Sequence, residues 1–438
     1  MFNKRWFRVL VLLAFVPLGW FSVGQVARPI AAEAKSQYED IRLFTDVLSI
    51  VRKSYVEEVD MKDLIYGAIN GMLASLDPHS SFMPPDVYRE MKIDTRGEFG
   101  GLGIEITIKD GILTIVSPIE DTPAYRAGLQ AGDQIFKIED RFTKDLSIMD
   151  AVKLMRGPKG SKINITIMRE SFEKPREFLL TREIIKIHSV KSRTLEDGYG
   201  YVRLAQFQER SSDELQAALK KLRKENGGSL KGLVLDLRNN PGGLLDQAVK
   251  VSDSFLADGL IVYTDGREQG SRMEFNAHPK GTEDDYPMVV LINGGSASAS
   301  EIVSGALQDH ERAIIMGTQS FGKGSVQTII PLSDDSGLRL TTARYYTPRG
   351  TSIQATGITP DILVSQVEVN KSEEGAHFRE KDLKNHIETP DVKSEEAVEA
   401  DPHKFDLEST DRRDYQLMRA LDLLKGLHIF KDLKTPAA

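Results

Sequence analysis

The chain has 438 residues, 40% hydrophobic and 28% charged, which is too long for one ordinary core and too polar for a polytopic membrane protein. Its net charge of -8 offers no basic face to phosphates, so nucleic acid is not an expected partner. It has no cysteine, which removes disulfides, thiolate metal sites and cysteine nucleophiles together.

The first residues read as an address. Lys4, Arg5 and Arg8 form a basic start, Val9 to Ala27 carries no charge, and Ala32-Glu33-Ala34 supplies small residues at a cleavage-like spacing. Residues 1–34 are therefore expected to be a signal peptide or, if retained, a membrane anchor, since the uncharged run is close to the ~20 residues that span a bilayer. The expected location is the periplasm or the outer side of the cytoplasmic membrane. Loss of Lys4, Arg5, Arg8, Arg28 and Glu33 removes three net positive charges, so -8 becomes -11.

From Tyr38 to Tyr55, Ile41, Phe44, Val47, Leu48 and Val51 recur at three and four, the period of an amphipathic helix, and Asp63 to Leu76 repeats the pattern. These predict a helical N-terminal module over 35–90, its second helix stopped by Leu76-Asp77-Pro78-His79-Ser80-Ser81-Phe82. Between Gly97 and Glu170 the pattern changes to short strands separated by glycine turns, with a helix from Ser147 to Arg156. The order Gly101-Leu102-Gly103-Ile104, Ser117-Pro118, Ala127-Gly128-Leu129, Gly132-Asp133 resembles a PDZ domain, here set at 91–175. That resemblance makes Leu102, Gly103 and Ile104 the loop whose amides hold a peptide's terminal carboxylate, the peptide adding a strand to the sheet.

Over 176–368 apolar strands alternate with helices, which predicts an α/β core. The strands are Gly200–Ala205, Gly232–Leu237, Met288–Ile292 and Ala313–Gly317; the helices are Ser211–Lys224, capped by Ser211 or Ser212, Leu244–Leu256 and Ala299–Leu307. Residues 369–411 read as a charged linker, and 412–438 as a C-terminal helix with Leu417, Met418, Leu421, Leu424 and Leu427 on one side, able to dock back or to meet another subunit. The terminal helices are candidate contacts for a homo-oligomer.

The segment that concentrates chemistry is Asn293-Gly294-Gly295-Ser296-Ala297-Ser298-Ala299-Ser300-Glu301, between a strand and a helix. A serine at such a turn lifts its hydroxyl clear of the chain and faces the positive end of a helix dipole. Helix capping is the competing use of the same residues, and Ser296, Ser298 and Ser300 all stay open. A serine hydroxyl needs a base. Lys323, flanked by Gly322 and Gly324, can serve if burial brings its pKa from ~10.4 toward 7 or 8, at a cost of roughly 3 to 5 kcal/mol. The eight histidines show no metalloprotease spacing, and neither metal nor cofactor is expected. His310 could be drawn into a triad, but beside Glu311 at a helix end it reads as a surface group.

Four motifs in order, Asp77-Pro78-His79-Ser80-Ser81-Phe82, Asp236-Leu237-Arg238-Asn239-Asn240-Pro241-Gly242-Gly243, Asn293 to Glu301, and Gly322-Lys323-Gly324 with Gln327, resemble the carboxyl-terminal processing, or tail-specific, serine peptidases. The resemblance covers roughly 36–365. It implies a multidomain fold: a crotonase-like α/β protease core with an inserted-order PDZ domain and an N-terminal helical module. In that family the catalytic serine and lysine stand 25 residues apart, which selects Ser298 with Lys323. It further implies that Gln327 orients Lys323, that the N–H groups of Ala299 and of Gly242 or Gly243 form the oxyanion hole, and that Arg156 links the PDZ groove to the active site. The substrates would be proteins recognised by their C-terminal tails. An inactive PDZ adaptor is opposed by the presence of both Ser298 and Lys323, and a chymotrypsin-like PDZ protease by the domain order.

Overall fold

The protein is described by a computed structural model covering residues 38–144, 146–196, 198–367 and 411–434. The expected leader at 1–34 and nearly all of the expected linker lie outside the described residues. Among those described, no helix is long and apolar enough to cross a membrane.

The chain divides into two compact units after Phe82. In the first, residues 38–54 form one helix and Met61–Ala74 a second. The second starts two residues ahead of its apolar repeat because the Asp60 side chain caps it, accepting the Lys62 N–H at 2.7 Å. Asp77 then shapes the following turn, its carboxylate accepting the His79 and Ser80 N–H groups at 2.7 and 2.9 Å.

The second unit opens with a helix that the sequence reading passed over, Pro85–Arg96. It buries no residue completely and so shows little apolar signal, but Pro85 sits where a missing N–H costs nothing and Gly97 closes it at φ 68°. A β-domain follows, its strands Ile104–Lys109, Ile112–Pro118, Gln134–Ile138, Lys162–Met168 and Arg176–Thr181 joined antiparallel in that order. Ile115, Ile135, Ile138, Ile163, Ile165 and Ile167 fill its core. The helix Ile148–Met155 lies against it, capped by Ser147, whose hydroxyl accepts the Asp150 N–H.

The larger core is a six-stranded sheet in the order Val190–Glu196, Tyr199–Leu204, Gly232–Asp236, Met288–Ile292, Ile314–Gly317 and Ile362–Leu363. Its first pair is antiparallel and the rest parallel. Gly232–Asp236 and Met288–Ile292 are buried at every position, as strands covered on both faces must be. Leu233, Leu235, Val290 and Ile292 face the helices Ser211–Glu225, Leu245–Asp253 and Ala299–Asp309. The alternate residues Val234, Val289 and Leu291 face Leu417, Ala420, Leu421 and Leu424 of the last helix, Tyr415–Lys434. That helix therefore docks back on its own core.

Two expectations need correction. Neither Ser211 nor Ser212 caps its helix; the cap position is Arg210, and Ser211 instead accepts the Gln208 N–H and donates to the Gln206 carbonyl inside the core. A second, antiparallel sheet was also unforeseen, with Gly337–Tyr346 paired to both Leu260–Gly266 and Ser325–Pro331. Its strands carry polar and charged residues on an open face, which blurs the apolar run expected of a core strand.

The C-terminal helix is also held by charge. Arg238 donates to Asp236, Asp414 and Gln416 from a nearly sealed position. Burial works against its positive charge, but the bonds to Asp414 and Asp236 more than offset this and hold its pKa above the ordinary value. Asp414 shifts the other way: burial is outweighed by Arg238 and its carboxyl is held below the usual range. Leu421→Ala, removing a wholly buried side chain from this contact, is expected to lower stability by about 2 to 5 kcal/mol, read by denaturant unfolding.

Candidate active site

The turn after Met288–Ile292 carries three serines with different fates. Ser296 has no exposed surface; its hydroxyl donates to the Leu237 carbonyl at 2.8 Å and accepts the Asn293 N–H. Ser300 is equally buried and donates to the Asn240 carbonyl at 3.0 Å. Ser298 alone of the three lines an open cavity of about 510 Å³. Its backbone takes φ 57° and ψ -114°, a left-handed conformation that costs a serine of order 1–3 kcal/mol and persists only where its surroundings impose it.

Glu301 supplies much of that constraint. Its carboxylate, with no exposed surface, accepts the Ser298 N–H at 2.7 Å, the Ser320 hydroxyl at 2.6 Å, and the Gly322 and Lys323 N–H groups at 2.6 and 2.9 Å. One side chain thus ties the Ser298 turn to the Lys323 loop 22 residues away. The spacing of Ser298 and Glu301 is that of a capping box, the one signal that could have drawn attention to Glu301 from sequence.

Lys323 lines the same cavity and is half-buried rather than enclosed. Gln327 reaches the cavity as well, from the strand Ser325–Pro331, where Ser325, Gln327 and Ile329 share one face. Its carboxamide nitrogen donates to the Ser325 hydroxyl at 2.8 Å.

A second turn closes on the first. Asn240, fully buried, donates to the Leu204 carbonyl, accepts the Gly242 N–H at 2.9 Å, and receives the Ala297 N–H and Ser300 hydroxyl on its own carbonyl. Both following glycines are obligatory. At Gly242, φ 99°, a Cβ would lie 2.8 Å from the Ser298 Cβ; at Gly243, φ 147°, it would lie 2.1 Å from the Phe207 carbonyl oxygen. Gly243 and Ala299 line the cavity, while the Gly242 N–H is engaged by Asn240.

The remaining candidates lie elsewhere. Leu102, Gly103, Ile104 and Arg156 line a separate groove in the β-domain with Phe99 and Met155. Arg156 stacks over the Phe99 ring and forms an ion pair with Glu90 of the helix Pro85–Arg96. Glu90, Met91 and Asp94 of that helix line the Ser298 cavity. His310 sits at the far end of the Ala299–Asp309 helix, about 18 Å along its axis from Ser298, with its ring nitrogen 2.7 Å from the Leu260 carbonyl oxygen. No triad with Ser298 is possible there. Tyr345, which sequence reasoning did not single out, also lines the cavity.

Residues 198–364 match the model of peptidase family S41, 114–169 that of a PDZ domain, and 22–87 that of the activating protease CtpB N-terminal domain. The chain is 54% identical over 333 residues to a carboxy-terminal-processing protease of Bartonella bacilliformis, covering 76% of each chain. It belongs to the carboxy-terminal-processing protease family. The peptidase is 40% identical to a carboxyl-terminal-processing protease of Synechocystis sp., over 72% of this chain and 75% of that one. Among solved structures, the photosystem II D1 C-terminal processing protease is 32% identical, over 74% of this chain and 92% of that one, with a TM-score of 0.43. The peptidase is thus a serine-type hydrolase, a mixed α/β protein with a PDZ domain, acting on protein substrates.

Glu301→Gln would turn an NH₂ group toward donors that now share two carboxylate oxygens, leaving at least one buried N–H or O–H unpaired. The expected result is a loss of about 1–3 kcal/mol of stability and of most peptidase activity, measured by thermal unfolding alongside peptide cleavage.

Proposed function

We propose that the peptidase is an exported endopeptidase that cleaves proteins recognised by their C-terminal tails, with Ser298 as nucleophile and Lys323 as general base. The observation that carries this reading is the division of labour in the turn. Ser296 and Ser300 are committed to backbone carbonyls, and only Ser298 opens onto the cavity that also admits Lys323.

In the mechanism, neutral Lys323 takes the Ser298 hydroxyl proton as Oγ attacks the scissile carbonyl. The tetrahedral oxyanion is received by the N–H groups of Ala299, at the positive end of its helix, and of Gly243; we prefer Gly243 to Gly242 because the Gly242 N–H is already engaged by Asn240. The leaving amine takes a proton from Lys323, and water activated by the same lysine hydrolyses the acyl-enzyme. No cofactor takes part. Substrate filling the cavity completes the burial that keeps a half-exposed lysine neutral. Gln327 orients Lys323 through its carboxamide oxygen, its nitrogen being held by Ser325.

Tail capture falls to the PDZ groove at Leu102, Gly103 and Ile104. Arg156 stands between that groove and Glu90, whose helix lines the catalytic cavity, so occupancy of one bears on the geometry of the other. The basic start, uncharged run and small residues of 1–34 support export, as cleaved leader or as anchor. The parallel sheet with helices on both faces is consistent with a crotonase-like core over 176–368. The exposed stripe Ile41, Phe44 and Val47 supports a homo-oligomer through the terminal helices.

Cleavage of an unfolded protein bearing an apolar C-terminal tail tests the dyad: Ser298→Ala and Lys323→Ala are each expected to reduce turnover at least 10³-fold with the fold intact by circular dichroism. Full activity in either variant would falsify the assignment. Arg156→Ala is expected to slow cleavage of the tailed substrate several-fold more than of a short untailed peptide; equal rates on the two substrates would remove Arg156 from the relay.

A further inference from the structure

Tyr345 lies at the end of the strand Gly337–Tyr346, 2% exposed, with its ring in the main hydrophobic core. Its backbone N–H donates to the Gly324 carbonyl at 3.0 Å, pinning it to the residue that follows Lys323. Its hydroxyl is buried without a hydrogen bond of ordinary length and angle, and Tyr345 is one of the residues that line the cavity with Ser298. Leaving a buried hydroxyl unpaired costs about 1–3 kcal/mol, and phenylalanine would fill the same core position without that penalty.

We infer that Tyr345 is a positioning residue whose hydroxyl donates a hydrogen bond to Ser298 Oγ as the nucleophile turns toward Lys323. The inference rests on the Ser298–Lys323 reading above. Burial raises the pKa of the phenol far above its ordinary value; the Ser298 side chain, close enough to act on it, opposes that rise, and the charge of Glu301 adds to it. Tyr345 therefore keeps its proton near neutral pH and has it to donate. No proton leaves it. Its hydrogen bond occupies one lone pair of Oγ, directing the Ser298 proton elsewhere, toward the lysine on the same cavity wall. As Lys323 withdraws that proton, charge gathers on Oγ and the bond from Tyr345 strengthens, so the interaction is worth more in the transition state than in the resting enzyme.

Tyr345→Phe removes one oxygen and keeps the ring. Its kcat is expected to fall about 10- to 100-fold with KM within about twofold, the range of a hydrogen bond to a charged group. The rate at which a fluorophosphonate probe labels Ser298 should fall by the same factor, while Tm is unchanged or higher because an unpaired buried hydroxyl has gone. Wild-type kcat and labelling rate in Tyr345→Phe would overturn the inference, as would a lower Tm that accounts for the lost activity through unfolding. Labelling of Ser298→Ala, run in parallel, separates the two readings: if that variant still labels, the nucleophile assignment itself is wrong.

Discussion

The catalytic half of this molecule hangs on one buried carboxylate. Without Glu301 the left-handed Ser298 would relax, since nothing else in the turn takes its N–H, and the Lys323 loop would lose the acceptor for two consecutive amides. A carboxylate with no contact with water is expensive unless its lone pairs are filled, and here four donors fill them. The cost of burying Glu301 and the strain at Ser298 are thus met by the same four bonds, which also fix the distance between two loops that share no covalent route shorter than a whole helix and strand.

The second turn, Asn239 to Gly243, is fitted to the first by backbone contacts that tolerate no side chain. Asn240 is the staple, with every polar group committed, and Arg238 just ahead of it is clamped between Asp236 and Asp414. The C-terminal helix consequently does more than cover an apolar sheet face. Asp414, the residue just ahead of it, supplies the counter-charge to an arginine two residues from that staple, so the far end of the chain braces the turn that brings Pro241 and Gly243 to the cavity.

The groove of the β-domain and the cavity at Ser298 are separate hollows joined by a short helix. Pro85–Arg96 offers Glu90 to Arg156 on one side and Glu90, Met91 and Asp94 to the cavity on the other. Burial raises the Asp94 pKa while Arg156 opposes the rise, which places two carboxylates of this helix in the field of one guanidinium. A change at Arg156 therefore has a physical path to the cavity wall, through charge on a helix that has no buried anchor of its own.

Much of this was legible before any coordinates. Strands such as Met288–Ile292 are unbroken apolar runs bounded by turn residues, the Leu417, Leu421 and Leu424 stripe has helical period, and the motifs around Asn293–Glu301 and Gly322–Gly324 pick out two loops that the fold sets at one cavity. Those are local properties, and local sequence determines them. The helix Pro85–Arg96 and the strands Ser325–Pro331 and Gly337–Tyr346 were not legible, because a half-exposed element shows a diluted apolar period. Nor could residue chemistry alone choose among Ser296, Ser298 and Ser300: all three are serines in one turn, and which hydroxyl stays open depends on carbonyls of Leu237 and Asn240, about 60 residues earlier in the chain. The same holds for Glu301, whose partners in the Lys323 loop lie 19 to 22 positions away, and for Tyr345, whose N–H meets the Gly324 carbonyl 21 positions earlier. Side-chain type and spacing are written in the chain; which buried groups meet, and which one is left facing the cavity, is decided only when distant strands pair.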